Sequence, residues 1–380
     1  MQLQLFNALA YWYGFKDEHH AFWWRATVPS LQKLMAECKY DFYTQYLHLM
    51  WYNQYILPAL GPRPVFGKTP QWKHHLTHDG SPFEPSRSGK ELMSKSVVRF
   101  TIEPVGFLAG TDEDPFNQNM AKTLIKQLAV SSPEVHQQWF DHFAQELFLL
   151  NNAAQNVYRK LPPNETIPQS LLAFDLVDRK VMVKAYFFPI LKSIHTGTPA
   201  TKIISSAVSR LDEKGFSLSP ALSLFNEFLR NCTIYSPPHV EMIAIDCIDP
   251  TKARFKVYSR TFHNTFAKVR DIYTLGGRLK GEDITAGVEA LEQLWPILFA
   301  LQETDFHDVE LPHVENRSAG VVYNFEITSG DRFPKPKLYF PMWHYADNDA
   351  AISERLEAFF KRRGWTDMAL SYRQGLKASL

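Results

Sequence analysis

A chain of 380 residues, 45% hydrophobic and 21% charged, can bury a large core and has the composition of an ordinary globular protein. Its formal net charge of +1 lacks the basic excess that phosphate-backbone binding requires, so nucleic acid is not an expected partner and any anion site must be local. Cys38, Cys232 and Cys247 have no Cys-x-x-Cys spacing and support neither a disulfide framework nor a zinc ribbon. The chain shows no basic leader and no apolar run of roughly 20 residues, which predicts a cytoplasmic protein without a membrane partner.

Trp23, Trp24, Val28, Leu31, Leu34 and Met35 recur at three and four and predict a helix. Tyr40-Asp41-Phe42 opens a second, running through Leu49 to Ile56 until Pro58 and Gly61-Pro62-Arg63-Pro64 stop it. Short strands follow over 72–104 around the turn Asp79-Gly80-Ser81-Pro82. Helical stripes return after Asn117, first Met120, Leu124 and Leu128, then Trp139, Phe143, Leu147 and Leu150. Strands over 170–176 and 180–189 flank a turn at Asp178-Arg179. A helical block over 198–230 precedes strands over 240–246 and 253–259, joined at Asp249-Pro250. Helices over 261–301, strands over 319–327 and 337–341 and a helix over 348–380 complete the pattern. A helix, strand, turn, strand, helix unit thus recurs every seventy to eighty-five residues or so, which favours one domain over 1–380.

Three motifs fail on their chemistry. Gly61-Pro62-Arg63-Pro64-Val65-Phe66-Gly67-Lys68-Thr69 has one residue too many for a phosphate loop, and its prolines remove backbone donors. His74, His75 and His78 lack a second ligand cluster, so a loop is the better reading. Asp112-Glu113-Asp114 lacks the paired spacing and second acidic motif of a magnesium site, and neither metal nor cofactor is expected.

Four strands carry a different signal: Val97-Val98-Arg99-Phe100-Thr101, Val183-Lys184-Ala185-Tyr186-Phe187, Ala253-Arg254-Phe255-Lys256-Val257-Tyr258 and Pro336-Lys337-Leu338-Tyr339-Phe340. Side chains alternate along a strand, so Lys184 with Tyr186, Arg254 with Lys256 and Tyr258, and Lys337 with Tyr339 each share a face. Repeated cationic faces concentrate repulsion unless an anion relieves it. Lysine and arginine supply charge-assisted hydrogen bonds to a diphosphate, and aromatic walls stabilise a carbocation while excluding water.

With Asp79 to Ser86, Arg99, Thr101-Ile102-Glu103-Pro104, Asp114-Pro115-Phe116-Asn117, Lys184-Ala185-Tyr186, Arg254 to Tyr258, Leu275-Gly276-Gly277-Arg278 and Lys337 to Pro341, nearly the whole chain resembles the fungal aromatic prenyltransferases of the dimethylallyltryptophan synthase family. The resemblance implies an α/β fold: an antiparallel β-barrel of ten strands ringed by helices, built from repeated αββα units (the ABBA prenyltransferase fold). It also implies metal-independent transfer of a dimethylallyl group from its diphosphate to an aromatic acceptor, an indole or a phenol. By matching position, Arg99, Lys184, Arg254, Lys256 and Lys337 are expected to hold the diphosphate. Tyr186, Tyr258 and Tyr339 are expected to shield the allyl cation, and Glu84 to accept a hydrogen bond from the acceptor's N–H or hydroxyl.

There are two departures. Leu171 stands where tryptophan-specific members have a lysine, which puts a cyclic dipeptide, an indole terpenoid or a phenolic or polyketide ring at least level with free tryptophan as the expected acceptor. The family's last two strands are also not recognisable, so the barrel is expected to be C-terminally short, with eight strands. An open edge pairs readily with another chain, making a homodimer one expectation and a binding-only, catalytically impaired relative another.

Overall fold

The computed structural model describes residues 2–15, 17–88, 96–162, 166–232, 236–302, 304–369 and 372. Its contacts gather into two compact units. The first holds Met1–Ala207 and Ile243–Ala253. Its elements are α1 (Gln2–Tyr13), α2 (Glu18–Glu37), α3 (Phe42–Trp51), β1 (Phe83–Ser88), β2 (Val97–Ile102), α4 (Asn119–Ser131), α5 (Gln138–Leu147), α6 (Ala154–Tyr158), β3 (Ser170–Val177), β4 (Lys180–Phe187) and α7 (Ile190–Thr196). To these it adds most of α8 (Ala200–Asp212) and the end of β5 (His239–Asp246).

The helices start where capping chemistry starts them. The side chains of Asp17 and Asp41 accept the His20 and Thr44 backbone N–H groups that no helical carbonyl can reach. After Trp51 the chain passes through a π-turn at Tyr52–Ile56 and a 3-10 turn at Leu57–Ala59 containing Pro58. Strands β1 to β4 pair in order, all antiparallel, and β5 continues the ladder with Asp246 opposite Lys184.

One face of this sheet is apolar. Phe83, Phe100 and Phe174 lie side by side, with ring centroids 5.5 and 5.0 Å apart, and Tyr52 meets Phe100 at 5.5 Å. Each buried ring contributes on the order of 1.5–3 kcal/mol by leaving water. The Tyr40 phenol ties the helices to the sheet, accepting from the Val98 N–H at 3.1 Å and donating to the Leu176 carbonyl.

The second unit holds Val208–Met242 and Arg254–Lys377. It contains α9 (Ser219–Asn231), β6 (Arg254–Thr261), α10 (Phe266–Tyr273), α11 (Glu282–Phe299), β7 (Val321–Thr328), β8 (Lys335–Tyr339) and α12 (Asp349–Arg362). Strands β6, β7 and β8 are antiparallel neighbours. Phe325 on β7 packs on Phe225 of α9 at 4.9 Å, and Trp295 of α11 gathers Phe266, Phe299 and Phe340.

Four expectations change. No strand forms over 72–78, because the buried Glu103 carboxylate accepts from the Trp72 indole N–H at 2.6 Å and the His75 backbone N–H at 2.7 Å and holds that segment as a loop. The stripe ending at Leu150 stops at Leu147, leaving Leu150 exposed. The 198–230 block is two helices, since the Asp212 carboxylate accepts from the N–H groups of Leu218 and Ser219 and restarts the chain as α9. The last helix breaks after Arg362: Gly364 takes φ 72° and the Trp365 N–H returns to the Phe360 carbonyl at 2.8 Å, a glycine C-terminus. The continuation predicted over 370–380 lies, apart from Tyr372, outside the described residues. Eight strands are present among the described residues, as expected, and none follows β8. Among these residues no helix is long and apolar enough to cross a membrane, and no disulfide joins the three cysteines.

Candidate active site

Strand alternation sends a second set of side chains to the face opposite each aromatic core. In the first unit the register aligns Glu84 with Thr101, Ser86 with Arg99, Arg99 with Asp175, Ala173 with Lys184 and Leu171 with Tyr186. Glu84, Arg99, Lys184 and Tyr186 therefore share one face, as the sequence predicts. The Lys184 ammonium donates to Asp175 Oδ2 at 2.5 Å, and Arg99 Nε lies 3.2 Å from Asp175 Oδ1 without hydrogen-bond alignment. Asp246, 1% exposed, stands opposite Lys184 from β5.

In the second unit Lys256 and Tyr258 of β6 stand opposite Glu326 and Asn324 of β7, Asn324 and Val322 stand opposite Lys337 and Tyr339 of β8, and Arg254 lies on the same face. Arg254 Nη1 lies 3.3 Å, and Lys337 Nζ 3.2 Å, from Glu326 Oε2. Lys256, 6% exposed, stands directly opposite Glu326. The Tyr258 and Tyr339 rings are 6.1 Å apart and tilted by 37°. Burial pushes the Glu326 carboxyl up, but Arg254, Lys337 and Lys256 outweigh it and hold it below its ordinary value.

These contacts correct one step of the sequence argument. Repulsion between strand cations does not by itself demand a bound anion, because Asp175 and Glu326 already supply one in each unit. In the first unit Asp175 and Asp246 match Arg99 and Lys184 in number. In the second, Arg254, Lys256 and Lys337 outnumber Glu326, so the cationic excess resides there. Both carboxylates sit two residues from other face-lining positions, and the same alternation rule finds them once anions are counted with cations.

Glu84 combines an accessible surface with a carboxyl surrounded by protein, so it is recessed yet reachable by solvent. Burial raises its pKa. Leu171 and Ala173 make the middle of this face apolar.

The discarded motifs have structural duties. The Asp114 carboxylate accepts from the N–H groups of Gln118 and Asn119 at 2.8 and 3.1 Å, at the start of α4. His75 Nε2 pairs with Thr166 Oγ1 at 2.8 Å, and burial lowers His74 to about 4. The Gly61 carbonyl receives the Trp23 indole N–H at 2.9 Å. Among the described residues no three His, Cys, Asp or Glu side chains are grouped so as to hold a metal ion.

The chain matches the family model for tryptophan dimethylallyltransferase over residues 19–375. It is 37% identical to the 7-dimethylallyltryptophan synthase of Aspergillus fumigatus over 363 residues, 92% of this chain and 76% of that protein. Its fold superposes on the crystal structure of AnaPT from Neosartorya fischeri with a TM-score of 0.84 at 29% identity, covering 98% of this chain and 89% of that one. NotF, crystallised in complex with brevianamide F and DMSPP, gives the same TM-score at 27% identity over 98% and 89% of the two chains.

Proposed function

Because the chain belongs to the tryptophan dimethylallyltransferase family, we propose that it moves a dimethylallyl group from its diphosphate to an indole-containing acceptor, without a metal, as one domain over residues 1–380 and in the cytoplasm. It is an aromatic prenyltransferase with the αββα fold of that family. The observation that carries the reading is the second unit's face, where the cationic excess of Arg254, Lys256 and Lys337 adjoins the paired rings of Tyr258 and Tyr339. The first group suits an anion and the second a carbocation, the two halves of an ionising allylic diphosphate.

The carbon–oxygen bond breaks with its electron pair leaving on the diphosphate. Arg99, Lys184, Arg254, Lys256 and Lys337 bind that growing charge, each charge-assisted bond contributing roughly 1.5–3 kcal/mol. Tyr186, Tyr258 and Tyr339 face the allyl cation, each ring stabilising it by about 0.5–2 kcal/mol. Glu84 accepts the acceptor's N–H and enriches the ring at the attacking carbon. A new carbon–carbon bond then forms and the ring proton leaves to a base, restoring aromaticity.

Leu171, opposite Tyr186, offers no cation of its own to an amino acid's carboxylate, and the nearby Lys184 is already held by Asp175, which favours an indole carrying an uncharged substituent, such as a cyclic dipeptide. The test is a mass-spectrometric screen in excess chelator, pairing dimethylallyl and geranyl diphosphates with tryptophan, indole cyclic dipeptides and phenols. Prenylated indole formed in chelator is the expected result. Turnover only after magnesium is restored overturns the metal-free chemistry, and diphosphate binding without product on any acceptor overturns the transferase reading for this chain.

A further inference from the structure

Asn324 sits in the middle of β7, opposite Tyr258 on β6 and Lys337 on β8, and is 1% exposed. Neither its Oδ1 nor its Nδ2 finds a hydrogen-bond partner among the described residues. A primary amide carries two donors and an acceptor, and burying all of them unmet costs stability. Asparagine is also a poor strand former, and its alternate neighbours Tyr323 and Phe325 fill the aromatic core on the other face. Every local consideration favours a residue such as valine here, so the amide's benefit has to come from outside the fold.

Its surroundings define the partner. Lys337 is directly across, and Lys256 stands opposite Glu326, two residues along the same face. Glu326 is engaged by Arg254 and Lys337 and accepts nothing from the Asn324 amide. A cationic field draws anionic oxygen to this spot, and a neutral donor adds a hydrogen bond without adding repulsion among the cations.

We propose that Asn324 is a further binding residue, its Nδ2 donating to an oxygen of the prenyl donor's diphosphate beside Lys256 and Lys337. This rests on the diphosphate reading above. The amide fixes where the leaving group sits relative to Tyr258, whereas the cations supply attraction from any direction.

The experiment uses the full chain and two near-isosteric variants, Asn324→Leu and Asn324→Asp, with inorganic diphosphate and dimethylallyl diphosphate as calorimetric probes and unfolding temperature measured without ligand. Asn324→Leu is expected to unfold at or above the wild-type temperature while weakening both ligands by about tenfold or more. Asn324→Asp is expected to weaken them further, with partial recovery as pH falls and its carboxyl protonates. Unchanged affinity in both variants, with wild type binding normally, overturns this inference alone. Wild type that binds neither ligand overturns the diphosphate reading and this inference with it. If both variants fail to fold, the amide is structural and the proposal is wrong.

Discussion

Removing one side chain tests each assigned role separately. Lys184→Ala and Arg254→Ala should each lower turnover by roughly tenfold or more, the worth of one charge-assisted bond. Arg254→Ala should also weaken inorganic diphosphate more, because the cationic excess lies in its unit. Steady-state kinetics with calorimetry decide this, and wild-type values for both variants rule out the assignment. Glu84 makes a pH prediction whose sign follows from its burial. Its folded pKa lies above the ordinary 4.5, so protonation favours the fold, and that contribution is lost as pH rises through the folded value. In its proposed role Glu84 acts as the anion, so kcat/KM for the acceptor should fall on the acid side along a limb centred above 4.5. Glu84→Gln should lack that limb and be no less stable at neutral pH. A limb that survives the substitution belongs to another group.

Among the elements, the strands were readable because a period of two is unambiguous once turn residues bracket it. Val97 to Ile102 alternates in burial as it alternates in chemistry, whereas Arg254 to Thr261 alternates only in chemistry, being buried throughout from Phe255 to Ser259. What escaped were a loop set by long-range contacts, with Glu103 holding 72–78, and a local glycine C-terminus at Gly364 that ends α12. Asp175 and Glu326 share the alternation of the cations, but each becomes a neighbour of one only once the register across strands is known. Asn324 gave no signal at all, since an unpartnered amide is visible only once burial is. In the acidic run at 112–114, Asp114 belongs to a helix start. Asp114→Ala should cost about 1–2 kcal/mol of stability and leave diphosphate affinity unchanged. Denaturant titration beside calorimetry measures both, and weakened binding in a stable variant would contradict the assignment.

For the molecule as a whole, fold class was legible because four strand pairs recur in chain order, whereas the charge balance of the two units was not. Net charge averages over 380 residues, and each working face holds only a handful. Glu326 extends this point from binding to timing. In the proposed site, an arriving diphosphate competes with the Glu326 carboxylate for Arg254 and Lys337, and the carboxylate recaptures them as the diphosphate departs. Exit is thus an exchange of partners in which the protein's own anion competes with the spent leaving group. Glu326→Gln should bind inorganic diphosphate more tightly and show a fast first round of product followed by slow cycling in a rapid-quench experiment. A steady rate without that burst, at wild-type affinity, would mean the carboxylate plays no part in release. A resident carboxylate among cations, at first sight a weakness in a site built to hold an anion, is what allows such a site to let go.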